Sequence, residues 1–229
     1  MFLPAWNRIS RRFLLASRQD GRRPRGRRLH CEELELRLQP SAFAFSTGDP
    51  DGLVGTISEP ANAHDGQREF ESADDFVLGS RTEIQQLSFT GLLTGGATPQ
   101  EVSNVVVEIY RVFPKDSNLH RTPRVPTRIN SPSDVEFASR ASASSGLSFQ
   151  TQVLGASFST LASVSSAGAI GVNSGGNGRA TGDEVKFTIS FGSHPLDLPP
   201  DHYFLVPQVG LSTKAVSYTH LTLPTILLV

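Results

Sequence analysis

The segment Val185-Lys186-Phe187-Thr188-Ile189-Ser190-Phe191 alternates apolar and polar side chains without interruption. Successive side chains of a β-strand point to opposite faces of its sheet, so the four apolar residues share one face and the three polar residues share the other. A strand of this kind covers a core on one side and meets solvent on the other, which is typical of antiparallel sheets.

The same period of two recurs along residues 41–215, where a helical period is almost absent. Alternating segments occur at residues 105–113, 134–139 and 147–153, and residues 82–90 and 203–209 are further strand candidates. Pro207 predicts an edge or a bulge for the last of these, because proline has no N–H to give to a ladder. Turns rich in Gly, Pro, Asn and Asp lie between the candidate strands, as the connections of a β-sandwich require.

Roughly eight to ten strands separated by turns predict an all-β fold, an antiparallel β-sandwich of the jelly-roll kind, over residues 41–215. The alternation predicts that its core contains Val107, Ile109, Phe149, Phe187 and Ile189. Cys31 is the only cysteine, so no intrachain disulfide supports this core. About 175 residues bury roughly 70% of their extended surface and need none.

Charge is unevenly distributed, although the formal net charge is only -1. Residues 1–40 hold ten arginines and four acids, which gives +6, and the remaining residues carry -7. Pro24 and Gly26 interrupt the arginines, and no aromatic side chains alternate with them as a single-strand binder requires. We therefore expect residues 1–40 to be a basic, disordered arm, and we expect no nucleic-acid partner. No run of eighteen apolar residues occurs, so no transmembrane helix is expected.

The arm also resembles export signals. Residues 27–41 contain Leu34-Glu35-x-Arg37 and are similar to the short "LExR" leader near the N-termini of many exported planctomycete proteins. Gln39 and Pro40 depart from that pattern, which more often has leucines there. Arg11-Arg12 looks like part of a twin-arginine motif, but the apolar stretch after it is shorter than an export signal requires.

A second resemblance covers most of the body. Ala73-Asp74-Asp75-Phe76 resembles the "ADDF" opening strand of β-sandwich domains in exported bacterial proteins, many of which end in a PEP-CTERM-type sorting anchor. Residues 107–117 and 198–209 are similar to later blocks of one such family. The resemblance implies export, an extracellular or cell-surface location and a sandwich fold, and it carries no assigned activity.

Residues 216–229 resemble something other than protein. Residues 216–225 read as one frame of a translated sequencing adapter, and the alternative is a genuine strand of good β propensity. The first reading predicts a non-native tail on a C-terminally truncated domain. Such a tail is expected to be extended or poorly held, to have few specific side-chain hydrogen bonds, and to lie against an apolar surface or an open strand edge if it packs at all. Its removal would then leave stability nearly unchanged.

Two acidic pairs are candidate metal ligands. Asp49, Asp51, Asp74 and Asp75 offer the oxygen atoms that calcium prefers, although no EF-hand spacing is present. The alternative is that Asp49 and Asp51 shape a turn and that Asp74 accepts hydrogen bonds from backbone amides. Calcium is the one cofactor that these residues suggest.

Two further segments resemble functional motifs. Residues 194–202 contain two His and two Asp, which could form a metal site or an acid–base cluster. The alternative is a polar loop, because three prolines hold this stretch extended and its side chains need not converge. Residues 176–182 are glycine-rich but lack Gly-Lys-Ser/Thr, so a connection before a strand is the better interpretation. No Gly-x-Ser-x-Gly and no His-Glu-x-x-His motif occurs, and no catalytic residue is assigned.

Two function classes follow. The favoured one is a non-enzymatic exported or cell-surface module that is structural, adhesive or glycan-contacting, with surface polysaccharide or matrix proteins as partners. The alternative is a hydrolase of extracellular polysaccharide or another polymer that uses carboxylates without a local motif. Carboxyl groups about 5–9.5 Å apart in a cleft would favour the hydrolase, and a smooth sandwich would favour the module.

Overall fold

The structure, a computed structural model, describes residues 44–45, 48–61, 69–119, 130–164, 177–213, 217–220 and 225–227. For residues 44–45, 219–220 and 225–227 it describes the backbone alone. All of these residues belong to one compact unit, Gln39–Val229. The basic arm, predicted to be disordered, lies outside the described residues.

Fourteen β-strands occur within the described residues. They are β1 (Ala44–Phe45), β2 (Val54–Ile57), β3 (Asp74–Leu78), β4 (Thr82–Ile84), β5 (Gln86–Thr94), β6 (Val102–Arg111), β7 (Ala138–Ala141), β8 (Ser148–Ser159), β9 (Ala162–Val164), β10 (Thr181–Ser190), β11 (Leu196–Leu198), β12 (Asp201–Leu211), β13 (Ser217–His220) and β14 (Thr225–Leu227). A 3-10 helix at Pro99–Glu101 joins β5 to β6. Among the described residues, none forms a helix long and apolar enough to cross a membrane.

The strands form two main sheets and one short ladder. In the first sheet, β10 lies between β8 and β5, and the other edge of β5 is shared by β13 and β14. β13 continues the sheet to β2 and β9, and β14 continues it to β1. The second sheet has the order β3-β12-β6-β7, and β4 and β11 form the ladder. All these pairs are antiparallel except β2 with β9, which is parallel.

One apolar core joins the inner faces of the two sheets. In the first sheet, Phe89 and Phe187 stack with their ring centroids 4.9 Å apart. In the second, Phe76 and Tyr203 stack at 5.6 Å. Residues of both sheets belong to the same buried cluster. The all-β, sandwich-like fold predicted from the alternating segments is therefore confirmed.

The five predicted core residues differ in burial, according to their place in the sheets. Val107, Ile109, Phe187 and Ile189 are fully buried, as predicted. Phe149 is only partly buried and packs against the core from its margin. Its strand, β8, pairs with β10 alone among the described strands, so Phe149 has a core neighbour on one side only.

Two strand predictions need correction. Residues 82–90 do not form one strand, because the chain leaves the ladder at Gln85 and divides into β4 and β5, which belong to different sheets. In residues 134–139, Val135 and Phe137 are exposed and the strand begins only at Ala138. The Phe137 ring lies at the margin of the core, with its centroid 5.8 Å from that of Tyr203 and 5.0 Å from the guanidinium of Arg111.

The strand that contains Pro207 is not an edge strand. β12 lies between β3 and β6, but its pairing with β3 ends at Leu205, two residues before the proline. At Pro207 the register pairs β12 with Val107 of β6. The proline is tolerated in a central strand because it lies beyond the part that is paired on both sides.

The C-terminal segment is extended, as expected, but part of it is firmly placed. β13 pairs with β5 on one side and with β2 on the other, and Ser217 and Tyr218 are buried. The backbone N–H of Ser217 donates to Glu59 Oε1 at 2.8 Å. These residues are extended and lie against a strand edge, and the alternative of a poorly held tail does not apply to them. That the segment is non-native stays a prediction. Leu221 and Leu223 lie outside the described residues.

Ion pairs fasten the loop that follows β6. Arg111 donates through two nitrogens to the carboxylate of Asp116, and Lys115 Nζ lies 2.6 Å from Asp201 Oδ1 at the start of β12. The hydrogen bonds from Arg111 hold the pKa of Asp116 below its usual range. Asp116 also has a φ of 53°, a left-handed conformation that Asp and Asn tolerate better than most residues.

Replacing Asp116 by Asn should therefore give a pH-dependent loss of stability. A carboxylate whose pKa is depressed on folding stabilises the fold above its unfolded pKa of about 3.9, and this contribution is lost as pH falls through the folded value. At pH 6 we expect Asp116→Asn to be about 1 kcal/mol less stable than wild type, because the ion pair is part-buried and doubly hydrogen-bonded. Urea unfolding should show the difference closing by pH 2–3. A difference that stays constant with pH would contradict the assignment, since Asn retains the backbone preference.

Candidate functional site

The four predicted calcium ligands occupy different environments. Asp49 and Asp51 are exposed, and Asp51 Oδ1 accepts a hydrogen bond from the N–H of Leu53 at 2.8 Å, as an aspartate that shapes a turn does. In β3, Asp74 is buried and Asp75 is exposed, so their carboxylates point to opposite faces of the sheet. Asp75 Oδ2 lies 2.7 Å from His202 Nε2. The structure does not bring the second pair together, and calcium at these four residues stays a prediction.

The two His and two Asp of residues 194–202 do not converge. Asp197 pairs with Arg81, Asp201 with Lys115, and His202 with Asp75. The backbone N–H of His194 donates to Phe191 O at 2.8 Å. The segment is a polar connection through the short strand β11 into β12, which is the second of the two interpretations above.

The glycine-rich segment leads directly into a strand. Asn177, the first described residue after position 176, donates its N–H to Ser163 O at 2.6 Å, and β10 begins at Thr181. No helix follows, so the arrangement that a phosphate-binding loop needs is absent from this described part of the chain. Gly182 lies inside β10, where a Cβ atom would approach Leu93 O to 2.0 Å.

The outer side of the first sheet carries an ordered array of polar side chains, which we call the polar face. Its nine residues align across β5, β10 and β8 in three rows, which are Thr90, Lys186 and Gln152; Ser88, Thr188 and Gln150; and Gln86, Ser190 and Ser148. All nine are exposed or partly exposed, and the residues between them on β5 and β10 are buried. Eight of them carry a hydroxyl or a carboxamide, and Lys186 carries the one formal charge.

A surface depression adjoins the third row of the polar face, Gln86, Ser190 and Ser148. Ser148 and Ser190 belong to both, and the remaining lining comes from the turns after β7 and β10, including Ser142, Ser193 and His194. No carboxylate lines this depression. It therefore offers hydroxyl and backbone groups for binding, and it lacks the paired acids that hydrolysis of a glycosidic bond requires.

A group of three glutamates lies at the outer side of the second sheet, and we call it the glutamate cluster. It consists of Glu69, Glu71 and Glu108, and one carboxylate oxygen of each lies within 4.8 Å of the other two. Glu108 is in β6 and 9% exposed, whereas Glu69 and Glu71 belong to the segment that leads into β3 and are exposed. Among the described residues this is the one group of three or more His, Cys, Asp or Glu side chains close enough to share an ion.

Two neighbouring side chains hold the glutamate cluster together. The hydroxyl of Tyr110 is 3.2 Å from Glu71 Oε1 and 3.0 Å from Glu108 Oε2. Gln208 of β12, which is fully buried, donates through Nε2 to Glu69 Oε1 at 2.9 Å. Tyr110 and Glu108 share a face of β6 because they are two residues apart. The segment 69–73 therefore covers the outer side of β6 and β12.

The electrostatics of the glutamate cluster favour a proton or a cation. Burial raises the pKa of Glu108 to about 7, the hydrogen bond from Tyr110 opposes this, and the charges of Glu71, Glu69 and Glu136 raise it further. Glu71 is exposed as a residue, but partial desolvation of its carboxylate raises its pKa, and burial together with the two nearby carboxylates raises the pKa of Tyr110. Within the part of the chain that the structure describes, the charges that shift the pKa of Glu108 are all negative, so no described cation compensates its carboxylate.

Sequence reasoning missed the glutamate cluster and singled out adjacent aspartates in its place. The available signal was the spacing of two in Glu69-Phe70-Glu71 and in Glu108-Ile109-Tyr110, which places each pair on one face of an extended chain. What no local pattern shows is that the two pairs meet across the second sheet.

Comparison of the chain with known protein families, with curated proteins and with solved structures found no match. The polar face and the glutamate cluster are therefore the two features of the molecule from which a function can be inferred.

Proposed function

We propose that this chain is a non-enzymatic module of an exported or cell-surface protein and that it contacts surface polysaccharide. The observation that carries the proposal is the polar face, three rows of three side chains on adjacent strands. Export and location come from the resemblances of the leader and of the "ADDF" strand, and they are part of the proposal.

The chemistry of the polar face suits a polymer rich in hydroxyl groups. Hydroxyl and carboxamide side chains both donate and accept hydrogen bonds, as sugar hydroxyls do. Adjacent strands lie about 4.8 Å apart, so the sheet presents these groups at fixed intervals and little ordering is needed on binding. None of the nine residues is aromatic, so binding depends on several hydrogen bonds of about 0.5–1.5 kcal/mol each and not on ring stacking.

The same composition makes a protein partner less suitable than a glycan. Protein interfaces are enriched in Tyr, Trp, Phe, Met and Arg, and their strongest contacts come from such residues. The polar face contains none of these five types. Of the two partner classes predicted from the sequence, surface polysaccharide is therefore favoured over matrix proteins.

The second candidate function is the carboxylate-dependent hydrolase. The observation that favours it is Glu108, whose pKa burial raises to about 7 and whose carboxylate has an oxygen within 4.8 Å of one of Glu71. Against it, Glu71 and Glu108 are bridged by the Tyr110 hydroxyl, and the depression beside the polar face has no carboxylate.

Retention on insoluble polysaccharides tests the proposal. We expect the 229-residue chain to be retained by at least one surface polysaccharide and the double variant Gln150→Ala/Gln152→Ala to bind at least about tenfold more weakly, since it loses two hydrogen-bonding groups of about 1 kcal/mol each. The matched control, Glu83→Ala/Gln85→Ala, removes two exposed polar side chains outside the polar face and should bind like wild type.

Two outcomes would contradict the module. Equal losses in the two double variants would show that the polar face is not the contact surface. Release of reducing sugar by wild type, abolished in Glu108→Gln, would establish the hydrolase.

A further inference from the structure

We propose that two copies of this chain associate through strand β8, residues 148–153 of one copy pairing antiparallel with the same residues of the other. The first sheets of the two copies then form one continuous sheet across a twofold axis. This association does not depend on the function proposed above.

Within the described part of the chain, β8 is an edge strand. It pairs with β10 on one side and with no described strand on the other. Every second residue of an edge strand directs its N–H and C=O groups away from its neighbour, where another extended chain can pair with them. Charged side chains or proline commonly protect such an edge, and Ser148–Ser159 contains neither.

Irregularities protect the second half of β8 but not its first half. The register with β10 shifts on both sides of Glu184, and Ser157 has a φ of 61°. Bulges of this kind twist an edge away from a partner strand. Residues 148–153 pair with β10 without a shift and therefore present a regular stretch of edge.

The side of this stretch that faces the core is incompletely covered. Phe149 and Val153 lie opposite the fully buried Ile189 and Val185 of β10, so their side chains point to the core side of the sheet. Phe149 is nevertheless only partly buried, and Val153 is 47% exposed. A further strand beside β8 would cover both side chains.

One register of a β8–β8 pair brings these two residues together. Opposed residues of an antiparallel pair share a side of the sheet, so the twofold axis passes through a residue that lies opposite itself. With the axis at Thr151, Phe149 of each copy lies opposite Val153 of the other, and aromatic and β-branched residues form favourable cross-strand pairs. An axis at Gln150 or Gln152 would instead place the Thr151 hydroxyl opposite one of the two apolar side chains.

The same register makes the strand complementary to itself, which favours a second copy over a different protein. On the outer side, Gln150 of each copy lies opposite Gln152 of the other, and two carboxamides can donate to and accept from each other. The strand carries no charge that would repel its own copy or select a charged partner. The two Lys186 side chains would be about 16 Å apart, beyond the Debye length of about 8 Å at 0.15 M salt.

The association also extends the polar face. The row that ends at Gln152 continues into the row that begins at Gln150 of the second copy. One polar surface then spans six strands, which are β5, β10 and β8 of each copy.

Sedimentation velocity of the 229-residue chain tests the pairing. Six paired residues per copy bury less than the roughly 1,200–2,000 Å² of a stable interface, so we expect a monomer–dimer equilibrium with a Kd on the order of 10⁻⁵ M. Gln150→Lys/Gln152→Lys places like charges opposite each other and should raise this Kd at least about tenfold at low salt. Gln150→Lys/Gln152→Glu places opposite charges in the same pairs and should dimerise at least as well as wild type.

The two double variants are matched, because they alter the same two exposed side chains and differ only in the charge at position 152. Their circular dichroism and Tm should equal those of wild type. Mixing Gln150→Lys/Gln152→Lys with Gln150→Glu/Gln152→Glu should restore dimers, and this readout requires only that both variants fold.

Three results would overturn the proposal. The first is a wild-type chain that stays monomeric at about 200 µM, more than tenfold above the expected Kd. The second is a dimer with the same Kd in the two double variants, which would place the interface elsewhere. The third is a monomer that dimerises only after removal of residues 1–40, which would assign the edge of β8 to that segment.

Discussion

Replacing Gly182 by Ala should lower the free energy of unfolding by about 3 kcal/mol, the upper part of the range for overpacked sites. Gly182 lies in β10 between β5 and β8, and an added Cβ atom would be 2.0 Å from the carbonyl oxygen of Leu93 and 2.7 Å from its carbon. These are backbone atoms of the central strand β5, which cannot turn aside as a flexible side chain would. The backbone itself would have to shift, and the pairing of β10 with β5 would weaken. Chemical denaturation with urea measures the loss.

A neighbouring glycine provides the matched control. Gly155 is in β8 opposite Glu184 of β10, and a Cβ atom added there would be 3.6 Å from Glu184 Oε2, an ordinary contact. Gly155→Ala should therefore leave stability unchanged or raise it by about 0.5–1 kcal/mol, because alanine loses less chain entropy on folding. Equal losses in the two variants would show that the approach of β5 to Gly182 is not what requires glycine.

Gly182 also shows where sequence reasoning about the fold ends. The alternation of residues 185–191 correctly predicted a strand and its buried face, since both depend on local periodicity. The glycine-rich composition of residues 176–182 predicts a connection, and most of its described part is one. Only the close approach of β5, almost ninety residues earlier in the chain, distinguishes Gly182 from the glycines of a loop.

Six of the nine residues of the polar face were predictable one by one, but the surface that they form was not. Alternation placed Lys186, Thr188 and Ser190 outward on one strand and Ser148, Gln150 and Gln152 outward on another, and the structure agrees. The outward residues of β8 lie beside those of β10 because of the pairing register of the two strands, which is irregular near Gly182 and Glu184. Register is fixed by the packing of both strands against the core and is not a property of either strand alone.

The glutamate cluster was beyond sequence reasoning for a similar reason. Asp74 and Asp75 are adjacent in the sequence, which suggests a pair of ligands, yet adjacency in a strand separates side chains onto opposite faces. Glu71 and Glu108 are far apart in the chain and meet because the segment before β3 crosses the outer side of β6. A cluster of this kind follows from topology, which local patterns do not determine.

Replacing Tyr218 by Ala should cost about 3 kcal/mol, at the lower end of the range for removal of a large buried aromatic side chain. Tyr218 is 6% exposed and packs in a small cluster with Leu92, Ala180 and Phe158, while its backbone joins β5 to β2. Deleting residues 216–229 should cost at least as much, because it also removes the partner of Glu59 Oε1 and uncovers an edge of β5. Thermal and urea unfolding of both variants measure these losses.

The control for Tyr218 is Val54→Ala in the adjacent strand β2, where the side chain is 45% exposed and its truncation should cost less than about 1 kcal/mol. A stability of Tyr218→Ala equal to that of wild type would contradict the packing of β13 between β5 and β2. That result would agree with the prediction of a non-native tail, since a segment never selected to pack has no reason to stabilise the fold. If stability is instead lost in Tyr218→Ala and in the deletion but not in Val54→Ala, these residues complete the first sheet, whatever their origin. The reason is that an open edge of a sheet accepts any extended chain that presents unpaired backbone groups.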